Sequence, residues 1–240
     1  GMAERVCDDE EIDIATDDGP MGGFLALPPT GSGPGILLLQ EIFGVNSHIR
    51  AVAQQYAADG FVVLAPDLFW RRSPRIELAY GPEERKSGFE HLQAIGFPQL
   101  SRDVAVAGAT LRRRAELSGK TATLGFCAGG TLAFLAAADG AVDLAVSYYG
   151  GGTQHFLSRA PEVKAPLLFH FGGADAHIPA EAVAAIREAF AKRADVDVRV
   201  HEGAQHGFNC WARDAYSMGS ALTARGQTLS FLAKHRVFDR

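Results

Sequence analysis

Thr121-Ala122-Thr123-Leu124-Gly125-Phe126-Cys127-Ala128-Gly129-Gly130 is the stretch that decides the fold. An apolar strand-like run leads into Gly-x-Cys-x-Gly-Gly, a strand-to-helix elbow with cysteine at its tip. The glycines have a physical reason. A nucleophile at the tip of so sharp a turn needs neighbours without bulky side chains. Behind it, Thr131-Leu132-Ala133-Phe134-Leu135-Ala136-Ala137-Ala138 is apolar and helix-forming. Cys127 is therefore expected at a helix N-terminus, where the dipole favours a thiolate. The bland alternative is a buried cysteine packing inside a βα unit.

Two further polar residues follow strand-like runs. Ala165-Pro166-Leu167-Leu168-Phe169-His170-Phe171 passes into Gly172-Gly173-Ala174-Asp175. Val196-Asp197-Val198-Arg199-Val200-His201 passes into Glu202-Gly203-Ala204-Gln205-His206-Gly207-Phe208. In a parallel sheet such loops share the carboxyl edge with the Cys127 elbow. A free thiol is mostly protonated at neutral pH, so a base must take its proton, a task that suits the His206 imidazole. The Asp175 carboxylate is suited to hold that ring in the useful tautomer and stabilise its cation. Nucleophile, acid, base is the chain order of α/β-hydrolases. His170 and His201 fit less well, being inside strands, and His177 shares a loop with Asp175.

The rest of the chain agrees with an alternating α/β pattern. Asp17-Asp18-Gly19 sits between strand-like runs 11–14 and 22–27, an N-terminal antiparallel hairpin. Gly35-Ile36-Leu37-Leu38-Leu39 is continuously apolar, as for a strand covered on both faces. A helix is expected from about Ser47 to Asp59, stopped by Gly60, then a strand over Phe61–Ala65. Residues 68–101 are irregular and read as a short cap with helical pieces. Strands near 121–125, 143–148, 166–171 and 196–201 alternate with helices near 102–117, 129–139, 179–193 and 214–234. That alternation implies right-handed crossovers, a doubly wound mostly parallel sheet and helices on both faces. Residues 1–240 are expected to form one domain.

Composition narrows the function. Hydrophobic content of 47% and charged content of 21% are ordinary for a globular protein. A net charge of −5 argues against a nucleic-acid surface, and Arg112-Arg113-Arg114 reads as a solvated helix face. No apolar stretch is long enough for a membrane span. Three cysteines and no signal peptide suggest a reducing, cytoplasmic setting. Gly1 before Met2 reads as a leftover of expression. Cys7 lies in an acidic stretch expected to be mobile, and Cys210 has no elbow glycines. No metal or cofactor is called for.

With these pieces assembled, the chain resembles the dienelactone hydrolase (carboxymethylenebutenolidase) family of the α/β-hydrolase fold. The resemblance rests on Gln40-Glu41-Ile42-Phe43-Gly44-Val45-Asn46, Ala65-Pro66-Asp67-Leu68, the Cys127 elbow, Pro161-Glu162-Val163-Lys164, Gly172-Gly173-x-Asp175 and His206-Gly207-Phe208. It implies hydrolysis of a small ester or lactone through an acyl-enzyme on Cys127, with His206 and Asp175 completing the triad. It also implies an oxyanion hole from the backbone N–H groups of Ile42 and Ala128. The family's Glu, here Glu41, is expected to meet the resting thiol; a salt bridge to an arginine such as Arg85 is the plainer alternative.

The family's substrate carries a carboxylate, which calls for arginine. The resemblance places Arg85 at one of two anchoring positions, Phe89 where a Tyr is common, and Phe43 at the pocket. The second anchor falls on Cys210, and Gly207 stands where Ser is expected. Arg213, three positions on, reaches the site only if a helix has already begun there. These departures favour a neutral or less acidic substrate. Trp70, Trp211 and Phe208 are further candidates for an apolar lining. A thioesterase or acyltransferase on the same triad, and a non-catalytic descendant, are the alternatives. The expected partner is a small-molecule ester or lactone, and the chain itself a monomer or small homo-oligomer.

Overall fold

A computed structural model describes residues 6–240, so Gly1 and Met2 lie outside the described part. Asp9–Thr16 (β1) and Gly19–Ala26 (β2) form an antiparallel hairpin. Then follow Gly33–Leu39 (β3), Val62–Pro66 (β4), Leu117–Phe126 (β5), Leu144–Tyr148 (β6), Leu167–Gly172 (β7) and Val196–His201 (β8). All eight join one sheet in the order β1-β2-β4-β3-β5-β6-β7-β8. β2 meets β4 antiparallel, and every pairing from β4 to β8 is parallel.

The buried strands explain the continuous apolar runs. Leu37, Leu38 and Leu39 are fully buried, because helices cover both faces of the sheet. The helices are Ser47–Ala58 (α1), Pro82–Ile95 (α2), Phe97–Arg112 (α3), Ala128–Ala138 (α4), Ala180–Ala189 (α5) and Met218–Lys234 (α6). α1 starts where the Asn46 side chain accepts from Ile49 N at 3.1 Å, and it buries Ile49, Val52, Ala53 and Tyr56. Gly60, at φ +117°, follows its end. Every residue of α4 is buried, which matches its lack of any polar face.

The structure departs from expectation at several points, among them β5, which begins at Leu117 where the preceding helix is expected to run on. The irregular insertion ends sooner, because α3 begins at Phe97; Gly96, at φ +81°, separates it from α2. A ten-residue 3₁₀ segment, Thr153–Glu162, fills the connection after β6, where no element is expected. α6 begins at Met218 rather than near 214, with Ser217 as its N-cap. Cys7 is buried in the core, not on a mobile stretch.

β3 hands the chain to β4 on one side, while β5 flanks it on the other. Strand order therefore reverses between β3 and β5. The loops after these two strands, Gln40–Val45 and the Cys127 turn, face the crevice at the carboxyl edge of that switch point.

Candidate active site

Cys127 stands between β5 and α4 with φ +58° and ψ −122°, a conformation an L-residue adopts only under constraint. Such strain costs ~1–3 kcal/mol and persists only where packing over-determines it. Here the constraint is visible. A β-carbon on Gly125 would strike the Gly129 carbonyl, one on Gly129 the carbonyls of Leu39 and Gln40, and one on Gly130 the Tyr148 carbonyl. The Cys127 N–H donates to the Tyr148 carbonyl at 3.0 Å, tying the elbow to β6.

The loop after β8 brings His206 to this thiol. Its Nε2 lies 3.2 Å from Cys127 Sγ, and its Nδ1 lies 2.7 Å from Asp175 Oδ2. The other Asp175 oxygen accepts from the His177 backbone N–H at 2.8 Å. Asp175 is thus fixed at both oxygens while buried. Burial alone pulls the His206 pKa down. The Cys127 sulfur and the Asp175 carboxylate together outweigh it and push it up to about 10.

Ile42 and Ala128 flank the thiol on a cavity of roughly 180 Å³. Gly88 lets α2 approach the Ile42 loop closely, since a β-carbon there would meet the Ile42 carbonyl. Phe43, Phe89, Leu92 and Phe97 make the cavity apolar. Trp70, Trp211 and Phe208 are not among its lining residues. Trp70 donates to Asp103 at 3.1 Å, Trp211 lies against His48, and Phe208 is core. Leu92 and Phe97 take their place because α2 and the start of α3 reach over the crevice.

Glu41 does not contact the thiol in this state. Its Oε1 accepts from the Tyr80 hydroxyl at 2.6 Å, and its Oε2 from Arg213 Nη1 at 3.3 Å. Burial pushes the Glu41 pKa up, and the Tyr80 hydrogen bond and the Arg213 charge pull it back. The ion-pair partner is therefore Arg213, not Arg85. Arg85 is exposed at the mouth, where its Nη2 donates to His177 Nε2 at 2.7 Å. Arg213 reaches the cavity wall without a helix, from the turns preceding α6. Arg213 thus lines the cavity that position 210 does not reach, while its guanidinium is held by Glu41.

A wider groove of roughly 540 Å³ adjoins the cavity, lined by Arg85, His177, His206 and Arg213 together with Tyr80 and Gln205. Tyr80 escaped the sequence reading because it sits in an irregular stretch without periodicity, and His177 entered it only as a poorer base than His206. Behind Glu41, one ligand atom each from Glu41, His48 and Cys210 lie within 4.8 Å of one another.

The family model for the dienelactone hydrolase family matches residues 21–236. The chain belongs to the dienelactone hydrolase family. It is 36% identical over 226 residues to a carboxymethylenebutenolidase of Pseudomonas putida, covering 93% of this chain and 96% of that one. It is 31% identical over 216 residues to carboxymethylenebutenolidase 1 of Cupriavidus pinatubonensis, covering 90% and 92%. A crystal structure of a protein assigned as a dienelactone hydrolase from Klebsiella pneumoniae superposes with a TM-score of 0.85. That structure is 28% identical and covers 95% of this chain and 99% of that one. The eight-stranded sheet is accordingly the α/β-hydrolase fold of this family. Among the described residues, no helix of this family member is long and apolar enough to cross a membrane.

Proposed function

We propose that this family member hydrolyses a small carboxylic ester or lactone through a thioester on Cys127. The observation that carries the reading is the unbroken Cys127–His206–Asp175 chain, at 3.2 and 2.7 Å, opening on an apolar cavity. The thiolate attacks the carbonyl carbon, and the carbonyl electrons move onto oxygen. The Ile42 and Ala128 N–H groups are the donors placed to receive that oxyanion. Collapse expels the alkoxide, which takes the proton from His206 Nε2 and leaves the acyl thioester. His206, now neutral, removes a proton from water as it attacks the thioester, and returns it to the departing sulfur. Asp175 stays ionised throughout and stabilises each imidazolium.

The wider groove, which Asp214 also lines, bears on which ester. Arg85 and Arg213 both border it beside His206, so a substrate bearing a carboxylate fits better than a neutral one. The apolar cavity takes the uncharged part. A panel of p-nitrophenyl acetate, an uncharged lactone and a carboxylated lactone of similar size tests the reading. Turnover with a burst equal to the Cys127 content supports it. Thioesters turned over with all oxygen esters refused would favour the thioesterase alternative, and the absence of both turnover and thiol acylation would overturn the assignment.

A further inference from the structure

We infer that Glu41, His48 and Cys210 form a binding site for a divalent ion of zinc type, separate from the triad thiol. Their ligand atoms all lie within 4.8 Å of one another, and none of the three residues is more than 3% exposed. Carboxylate, imidazole and thiol together suit a borderline ion such as Zn²⁺ or Cd²⁺, and do not suit Mg²⁺ or Ca²⁺. Bonds of about 2.0–2.3 Å put tetrahedral ligands roughly 3.3–3.8 Å apart, so the cluster needs to close by less than about 1.5 Å.

A second observation points to a ligand. His48 Nδ1 is buried with no hydrogen-bond partner, an arrangement that is ordinarily unfavourable. Tyr80 and Arg213 already hydrogen-bond the Glu41 carboxylate, as outer partners of a ligating carboxylate commonly do.

Binding displaces the Cys210 thiol proton to solvent. Thiolate and carboxylate together then neutralise the ion, and the Arg213 charge remains. Three protein ligands leave a fourth position for water. Trp211 packs edge-on against His48, the ring centroids 4.4 Å apart, and it is 48% exposed. Movement of that one exposed side chain opens a route for the ion.

The test uses a Cys7→Ala, Cys127→Ala double variant, in which Cys210 is the sole remaining thiol. Cadmium chloride is titrated while the ultraviolet thiolate-to-metal charge-transfer absorption is followed. A saturable band at one equivalent is expected. It should vanish in an added Cys210→Ser, and its affinity should fall by at least ~10–100-fold in an added His48→Phe. Circular dichroism confirms that each variant is folded, and X-ray absorption on the zinc-loaded double variant reads the sulfur and nitrogen ligands directly. No band with the folded double variant, or a band unchanged by His48→Phe, overturns the proposal.

Discussion

A β-carbon built on Gly207 would lie 2.6 Å from Arg213 Nη1 and 2.8 Å from its Cζ. Gly207, at φ +83°, therefore leaves the space in which the Arg213 guanidinium packs beside Glu41. Two departures from the family pattern, glycine after the catalytic-type histidine and the arginine displaced to 213, form one arrangement. Gly207→Ala should push Arg213 off the cavity wall. A lost charge-assisted hydrogen bond is worth ~1.5–3 kcal/mol, so KM for a carboxylated lactone should rise roughly 10- to 150-fold. Arg213→Ala should match it, while an uncharged lactone changes little in either variant. Equal losses for both lactones would remove the anchoring role.

The triad assignment predicts a steep hierarchy among the cysteines. Cys127→Ala should abolish p-nitrophenyl acetate turnover, whereas Cys7→Ala, a core change remote from the cavity, keeps it. Cys127→Ser should lose most of the rate, because a hydroxyl is far harder to ionise than a thiol. His206→Ala should slow acylation by ~10²–10⁴-fold. Asp175→Asn should slow it without unfolding the protein. Stopped-flow acylation and a thermal melt on each variant separate chemistry from stability.

Tyr80 and Glu41 give a stability prediction. Tyr80→Phe removes a 2.6 Å hydrogen bond to a carboxylate that is 1% exposed. Hydrogen bonds to charged groups contribute ~1.5–3 kcal/mol, so a loss of that order in urea unfolding is expected. Arg213→Ala should cost more, about 3–5 kcal/mol, because it strips a buried carboxylate of its counter-ion. Glu41→Gln on top of Arg213→Ala should recover part of that loss, since the amide carries no charge to strand.

Acid should destabilise the fold through buried neutral histidines. His48 falls from an ordinary 6.5 to about 4 through burial, and burial likewise holds His170 well below its usual value. The unfolded chain binds these protons first, so unfolding takes up protons below about pH 6.5 and stability falls as pH drops. For His48 the loss is complete near pH 4 and amounts to roughly 3 kcal/mol. His206 works the other way. Its value of about 10 means its contribution is full below pH 6.5 and fades as pH rises toward 10. Melting temperatures between pH 7 and 4 should fall less steeply in His48→Phe than in the parent; equal slopes would reject this account.

Local sequence determined the elements and the order of the chemistry. The Cys127 elbow announces itself because a strained turn admits only small neighbours, and that constraint is written in consecutive residues. The apolar run Ile36–Leu39 and the spacing of strands and helices specify a parallel sheet, because burial on both faces and the 3.6-residue helical period are local patterns. Asp175 and His206 are legible because each follows a strand, and parallel strands deliver their loops to one edge. The Glu41 partner, the Arg85–His177 contact and the place of Tyr80 are not legible in this way. They join residues far apart in the chain, 172 positions in the case of Glu41 and Arg213. Only packing decides which long side chain fills which space. Position 210 read alone suggests a lost cation; the fold seats Arg213 beside Glu41 in the space Gly207 leaves, and no local pattern encodes that placement.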